Sequence, residues 1–407
     1  MKKTNILFII DSLETLAGTE KQLLNLAEKL NADNYSCLVC PLLPEDSIAI
    51  RKFKEVGIEV LPLGIERLYS IAAFKKLCML KETIKQRQIK IIQTFHFGSD
   101  VFGVLLAKLA SVPILISNRR DMGFTESRGY FRVVRRAINY AITRIISVSQ
   151  NLQNYISEKE GVNDRKLLTI YNGVDLEGYS KSFDPSRIKK ELGLDPKRPV
   201  IGMVANIRPI KGFEYFFASA SIILRNYPSA QFVIVGGDPA GSSVENKAYE
   251  AALLNQIQNL NIEESIFWVG YRNDIHEVLG AMDVFVLPSL SEGFSNAIIE
   301  AMAKGLPVVV TDVGGNAEAV TRTTGIVVPP RDVESLANAV MQLLTNREYA
   351  QQLGLSAKAR VKNNFSLHKM VSEYDALFKS LLKNSKIKSV PDYGRIREPY
   401  FPDFILP

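Results

Sequence analysis

Short apolar runs separated by amphipathic stretches recur along this chain, and the pattern starts over once. Positions 6–10, 37–41, 58–61, 91–94, 114–117 and 145–148 are apolar runs of strand length. Stretches with a helical spacing of apolar residues, such as 20–30 and 72–86, separate most of them. Strands separated by helices predict parallel βαβ units. Positions 200–204, 231–235, 266–269, 284–287 and 308–311 repeat the strand pattern, with helices predicted over 213–226, 245–260 and 297–304. The 407 residues exceed one ordinary core, because single cores stop growing at about 250–300 residues. Two α/β domains in series are therefore expected.

The join is expected near Tyr171-Asn172-Gly173-Val174-Asp175, where Asn-Gly predicts a turn with positive φ. Loose polar sequence follows through Asp184 and Pro185. Beyond Pro329 and Pro330, positions 335–344 and 349–361 read as helices, and 365–382 as a long amphipathic one. The tail from 383 is polar, then aromatic and Pro-rich, and is compatible with docking or with disorder.

A hydrophobic share of 46% and a charged share of 23% exclude a disordered chain. No apolar run reaches the roughly 18–20 residues that span a bilayer. The first run stops at Asp11, which predicts a buried first strand and not a signal peptide. Cys37 and Cys40 form a C-x-x-C within a strand, where positions three apart face opposite sides, and no second Cys/His pair completes a zinc site. A reduced, cytoplasmic setting is expected. The net charge of +7 suits nucleic acid or an anionic membrane, but no nucleic-acid-binding signature accompanies it. Arg119, Arg120, Arg128, Arg132, Arg135, Arg136 and Arg144 crowd one window with apolar residues between them. That window reads either as a basic amphipathic helix at a membrane surface or as a solvated helix with one face in the core.

Several short motifs follow predicted strands. Glu292-Gly293-Phe294-Ser295-Asn296 leads into a predicted helix that carries Glu300. Eight helical residues span about 12 Å, more than one small reacting group. Paired carboxylates first suggest a glycosidase acid and nucleophile. Ala17-Gly18-Thr19-Glu20 follows the first strand, and Thr19 with Gln22 reads as a capping box at a helix start that could hold an anion. His96 lies just past the run 91–94, Arg208-Pro209-Ile210-Lys211-Gly212 past 200–204, and Gly314-Gly315-Asn316-Ala317-Glu318 past 308–311. His276 and His368 fall outside these motifs and read as structural.

Taken in order, with Asn172-Gly173-Val174-Asp175 among them, these motifs resemble those of the retaining nucleotide-sugar glycosyltransferases of family 4 over about residues 4–382. The resemblance implies a GT-B fold, two Rossmann-like α/β domains facing across a cleft. Residues 1–177 would bind the acceptor and 178–364 the nucleotide sugar. The helix 365–385 would cross back to the first domain, and 386–407 would form a tail. It further implies that Lys211 and Arg208 neutralise the departing diphosphate, a task that needs positive charge. The family's arginine usually stands where this chain has Asn206, and Ala17 replaces the first glycine of a Gly-Gly pair. Glu292 would bind sugar hydroxyls, and backbone N–H groups of Gly293, Phe294, Ser295 and Asn296 would hold sugar and phosphate. Glu300, two turns into its helix, would bind the ribose. His96 would hydrogen-bond a donor-sugar hydroxyl, Gly18 would admit the diphosphate or acceptor, Gly314 and Gly315 would wall the pocket, and Tyr271 and Arg272 would flank the base.

No Asp-x-Asp sits where a metal is needed, so neither metal nor other cofactor is expected beyond a UDP- or GDP-linked donor. The acceptor implied is a glycan or a lipid-linked saccharide in polysaccharide, lipopolysaccharide or glycolipid assembly. The basic window and the loop 117–123 add an expected peripheral contact with the inner face of an anionic membrane. Two alternatives remain, a GT-B nucleotide-sugar 2-epimerase and a non-catalytic carbohydrate- or membrane-binding scaffold. A nicotinamide dehydrogenase is poorly supported, since no G-x-G-x-x-G follows a strand.

Overall fold

The computed structural model describes residues 3–32, 34–121, 129–180, 184–237 and 244–387. Its strands form two wholly parallel sheets. In the first, β1 (Thr4–Ser12), β2 (Tyr35–Leu43), β3 (Glu59–Val60), β4 (Ile91–Phe95), β5 (Ile114–Arg119), β6 (Arg144–Ser147) and β7 (Leu167–Thr169) run in the order β3-β2-β1-β4-β5-β6-β7. In the second, β8 (Val200–Val204), β9 (Gln231–Val235), β10 (Ile266–Trp268), β11 (Val284–Leu287), β12 (Val308–Thr311) and β13 (Ile326–Val328) run β10-β9-β8-β11-β12-β13. Each order reverses once, between β1 and β4 and between β8 and β11. That reversal opens a crevice at the carboxyl ends of the strands, where doubly wound sheets take ligands. The edge strands β7 and β13 were not expected from the sequence. Each has three residues, too few for a period to register.

Continuous apolar runs make these strands because both faces of each sheet are covered by helices. Along β1, Ile6, Phe8 and Ile10 join one core, and Leu7 and Ile9 join the other. In β2 the cysteines divide in the same way, Cys37 to the first core and Cys40 to the second. Burial pushes the Cys37 thiol up to about 12, which leaves it inert at neutral pH.

The Asn-Gly junction corrects one expectation. Gly173 does not adopt positive φ. It is needed for close approach instead, since a Cβ there would lie 2.7 Å from Leu367 Cα. Val174 exchanges backbone hydrogen bonds with Phe365 and Leu367 at 2.9 and 2.8 Å, and the helix Leu367–Ile387 then lies on the first sheet. Its Phe378 is fully buried and meets Tyr35 edge to face; truncating such a ring costs about 3–5 kcal/mol. Tyr35 also donates a hydrogen bond to Asp375 at 2.8 Å. Where the halves meet, Tyr171, Phe294 and Phe365 pack as three rings with centroids 5.1–5.3 Å apart.

Candidate active site

The two crevices face each other and enclose a cavity of about 490 Å³. Gly18, Lys21 and Arg120 line it from the first half, and Lys211, Glu292 and Glu300 from the second.

Lys211 ends a 3-10 turn, Pro209–Lys211, that follows β8. Gly212 closes the turn with φ 70°, and a Cβ there would lie 2.1 Å from Pro288 O. Glycine therefore lets the turn lie against the loop after β11, where Leu290 N donates to Ile210 O at 2.7 Å. Lys211 Nζ reaches Glu292 Oε1 at 2.6 Å, and Ser289 Oγ donates to the same oxygen at 2.7 Å. The Glu292 carboxylate is buried, so the ammonium beside it is fixed in place. Arg208, by contrast, is exposed, and Asn206 rather than Arg208 lies along the cavity. The Arg208 charge is felt by Glu20 across the cleft.

The helix after Glu292 starts at Asn296, so Glu300 lies one turn inside it and not two. Lys21 Nζ sits 2.5 Å from Glu300 Oε1, an ion pair between the halves. The Tyr179 hydroxyl also bonds Glu300; burial, then that carboxylate, pushes its pKa far up. Asn296 ties the halves together. It donates to Gly18 O at 3.0 Å and accepts from Asn172 Nδ2 at 2.7 Å and Gln22 Nε2 at 3.2 Å. Gln22 also exchanges hydrogen bonds with the backbone of Gly173 at 3.0 and 3.1 Å. The capping-box reading of Thr19 and Gln22 is thereby corrected: the helix starts at Gly18, so Thr19 lies inside it, and Gln22 bridges to other segments.

Glycines allow the loops to nest. A Cβ on Gly293 would lie 2.1 Å from Arg120 O, and one on Gly315 would lie 2.5 Å from Gly293 O. Gly314, with φ 51°, makes the tight turn before the helix Asn316–Ala319. Glu318 on that helix accepts from Gln150 N and Asn151 N at 2.7 and 2.6 Å and from Tyr171 OH at 2.8 Å. A carboxylate of the second half thus caps a helix of the first, Gln150–Glu160. The Phe294 ring lies in the aromatic contact between the halves and also borders the cavity.

His96 stands at the carboxyl end of β4 with φ 76°, a conformation that costs non-glycine residues about 1–3 kcal/mol. Asp11 secures the next turn by accepting from Gly98 N, at 3.0 Å, and from Ser99 N. Burial raises the pKa of the Asp11 carboxyl, with the His96 charge opposing. Burial likewise raises Glu20, against the charges of His96, Arg120 and Arg208, and lowers Arg120. His96 therefore belongs to a charged cluster on the first half, beside the cavity and not among its lining residues.

Tyr271 and Arg272 both line the cavity. The Arg272 guanidinium is held by Asp274, at 2.8 and 2.5 Å, and by Glu191 at 2.7 Å. Those hydrogen bonds raise its pKa and leave the half-exposed Tyr271 ring as the more available surface.

The basic window is in part a core feature. Arg119 and Arg135 turn inward to the buried Asp100 at 3.1 and 3.0 Å, and Arg135 stacks over Phe97. These two arginines do not face a membrane. Residues 122–128 of the window and its loop lie outside the described residues, as does the tail from 388.

Sequence reasoning missed Lys21, Asn172 as the partner of Asn296, Tyr179, and the capping role of Glu318. None of them carries a local signal, because each acts on a residue of a distant segment.

Comparison with known proteins bears on the whole arrangement. Residues 16–177 match the model for Glycosyltransferase Family 4, and 184–360 match that for Glycosyl transferases group 1. The chain is 30% identical over 334 residues to the lipopolysaccharide core biosynthesis mannosyltransferase LpsB of Rhizobium meliloti (strain 1021), covering 80% of this chain and 89% of that protein. It is 27% identical over 389 residues to the Escherichia coli UDP-Gal:alpha-D-GlcNAc-diphosphoundecaprenol alpha-1,3-galactosyltransferase, covering 92% and 97%. Among solved structures it resembles Anabaena Alr3699/HepE in complex with UDP-glucose, with a TM-score of 0.81, 23% identity, and 92% and 99% of the two chains covered. That likeness bears on the fold, two Rossmann-like domains in the GT-B arrangement.

Proposed function

The chain belongs to glycosyltransferase family 4, and from that premise we propose that it moves a glycosyl unit from a UDP-linked sugar to a lipid-linked saccharide, with retention at the anomeric carbon. The observation that carries this reading is the Lys211–Glu292 pair, fixed at the carboxyl ends of β8 and β11 beside the start of the Glu300 helix. The UDP-sugar and diphosphoundecaprenol acceptor named for the Escherichia coli relative support the substrate classes.

In this reading Glu300 and Tyr179 receive the ribose, and the backbone N–H groups from Gly293 to Asn296 receive sugar and phosphate. Lys211 faces the diphosphate and stabilises the charge that grows on it as the glycosidic bond breaks. Glu292 orients Lys211 and meets a sugar hydroxyl. The departing phosphate oxygen takes the acceptor's proton on the face it leaves, so no protein nucleophile is required. Arg208, exposed across from Glu20, adds charge at the cleft mouth, and His96 shapes the acceptor side. The positive charge of Lys211 and Arg208 serves where other transferases use a metal.

A thermal-shift panel of UDP- and GDP-linked sugars tests the donor, since a ligand that binds only the folded state raises its melting temperature. A UDP-sugar should stabilise most. Stabilisation by a GDP-sugar alone, or by none, contradicts the assignment.

A further inference from the structure

One face of the first half carries apolar side chains that the cleft does not use. Tyr69, Ile71 and Phe74, at the entrance to the helix Ile71–Arg87, are 94%, 78% and 64% exposed. Leu105, on the neighbouring helix Phe97–Ala110, is 50% exposed. Between the two helices runs an apolar groove of about 280 Å³, lined in part by Tyr69, Phe74, Val101 and Leu105. Contiguous apolar surface of this kind marks an interaction site rather than a scatter of single residues.

The charge around it points to one partner. Lys75 follows Ile71 by four residues and Lys108 follows Leu105 by three, so each apolar ridge has an exposed lysine on the same helix face. The acids of these two helices are Glu82 and Asp100. Asp100 is buried between Arg119 and Arg135, and Glu82 lies near Lys85 towards the far end of its helix. In the loop before the first helix, exposed Glu66 and Arg67 offset each other. The face outward is therefore basic and apolar together. Lysine is depleted at protein–protein interfaces, whereas aromatic and aliphatic side chains flanked by lysines suit the headgroup layer of an anionic membrane. The groove shares an element with the His96 side of the cleft: Val101 stands on the helix Phe97–Ala110, whose N-cap is His96.

We propose that this face docks the protein on an anionic lipid bilayer. Tyr69, Ile71, Phe74 and Leu105 enter the headgroup layer, and Lys75 and Lys108 meet lipid phosphates. The purpose of such docking, delivery of a membrane-held acceptor to the His96 side of the cleft, rests on the function proposed above, but the binding itself does not.

Sedimentation of the full chain with vesicles of phosphatidylcholine alone, or mixed with phosphatidylglycerol, tests it. The protein should co-sediment with the mixed vesicles and much less with the neutral ones. The triple variant Tyr69→Ser, Phe74→Ser, Leu105→Ser should bind mixed vesicles about 10-fold more weakly or worse, and Lys75→Gln with Lys108→Gln should weaken binding by a similar factor. Leu355→Ser, an exposed leucine of the second half, should change nothing. The apolar variant should keep the thermal shift given by a UDP-sugar, which shows that it folds. No vesicle binding, or equal binding by all variants, overturns the proposal. So does self-association of the chain that the same variant abolishes in the absence of lipid binding. Vesicle binding without any response to nucleotide sugars leaves this proposal standing and removes the proposed function.

Discussion

Lys21 of the first half and Glu300 of the second meet with 2.5 Å between Nζ and Oε1, so the acid assigned to the ribose is already paired across the cleft. Lys21 is the more exposed partner, and a nucleotide that takes the carboxylate must turn it aside. Glu300→Gln should raise the donor KM about 10-fold with little change in kcat, the loss of one charge-assisted hydrogen bond. Lys21→Met, which removes the competitor, should lower the donor KM. Steady-state kinetics with varied donor measures both, and an unchanged KM in Glu300→Gln removes the ribose role.

Gly293 lies where the second half touches the backbone of the first, and a Cβ added there would sit only 2.1 Å from Arg120 O. Gly293→Ala should hold the halves apart. Nucleotide binding depends mainly on the second half in this account, whereas turnover needs both. Turnover is expected to fall at least 10-fold while UDP affinity, measured by calorimetry, changes about 2-fold or less, since interiors do not yield to such overlap without shifting backbone. Parallel losses in both quantities contradict a purely closing role.

Glu20 makes stability depend on pH. Burial raises its pKa above the ordinary value of 4.5, and nearby positive charges oppose the shift without cancelling it. The folded protein therefore keeps this proton to a higher pH than the unfolded chain does. Below the unfolded value both states are protonated and the group contributes nothing. As pH rises through the folded value, the folded state must bury a charge and loses stability. Glu20→Gln lacks that loss. Its melting temperature relative to the parent should be lowest near about pH 4 and climb toward about pH 7. A variant-minus-parent difference that stays constant, or falls, as pH rises shows that another interaction dominates.

The fold and one half of the site were legible because they rest on local patterns. The apolar run before Pro288 and the Gly-Phe-Ser-Asn stretch place Glu292, and the run before Arg208 with Gly212 after it places Lys211. A strand end followed by glycine announces itself within a few residues. The contacts between halves were not legible. Gln22 looked like a helix cap because its real partners, Gly173 and Asn296, are distant in sequence. For the basic window the sequence left two readings open, a membrane face or a solvated helix with one face in the core. Arg119 at the end of β5 and Arg135 on the helix Gly129–Ala141 both meet the buried Asp100 of the helix Phe97–Ala110, a partner that charge spacing does not reveal. The three-residue strands β7 and β13 carry too little pattern to be seen at all.

Lys211, held by Glu292, is proposed to stabilise a departing nucleoside diphosphate. The initial rate of sugar transfer from the preferred donor by Lys211→Ala tests this, with circular dichroism and a melting curve confirming a folded protein. A fall in kcat of about 100–1,000-fold is expected, the scale of losing one preorganised group that stabilises transition-state charge. Turnover equal to that of the parent protein contradicts it.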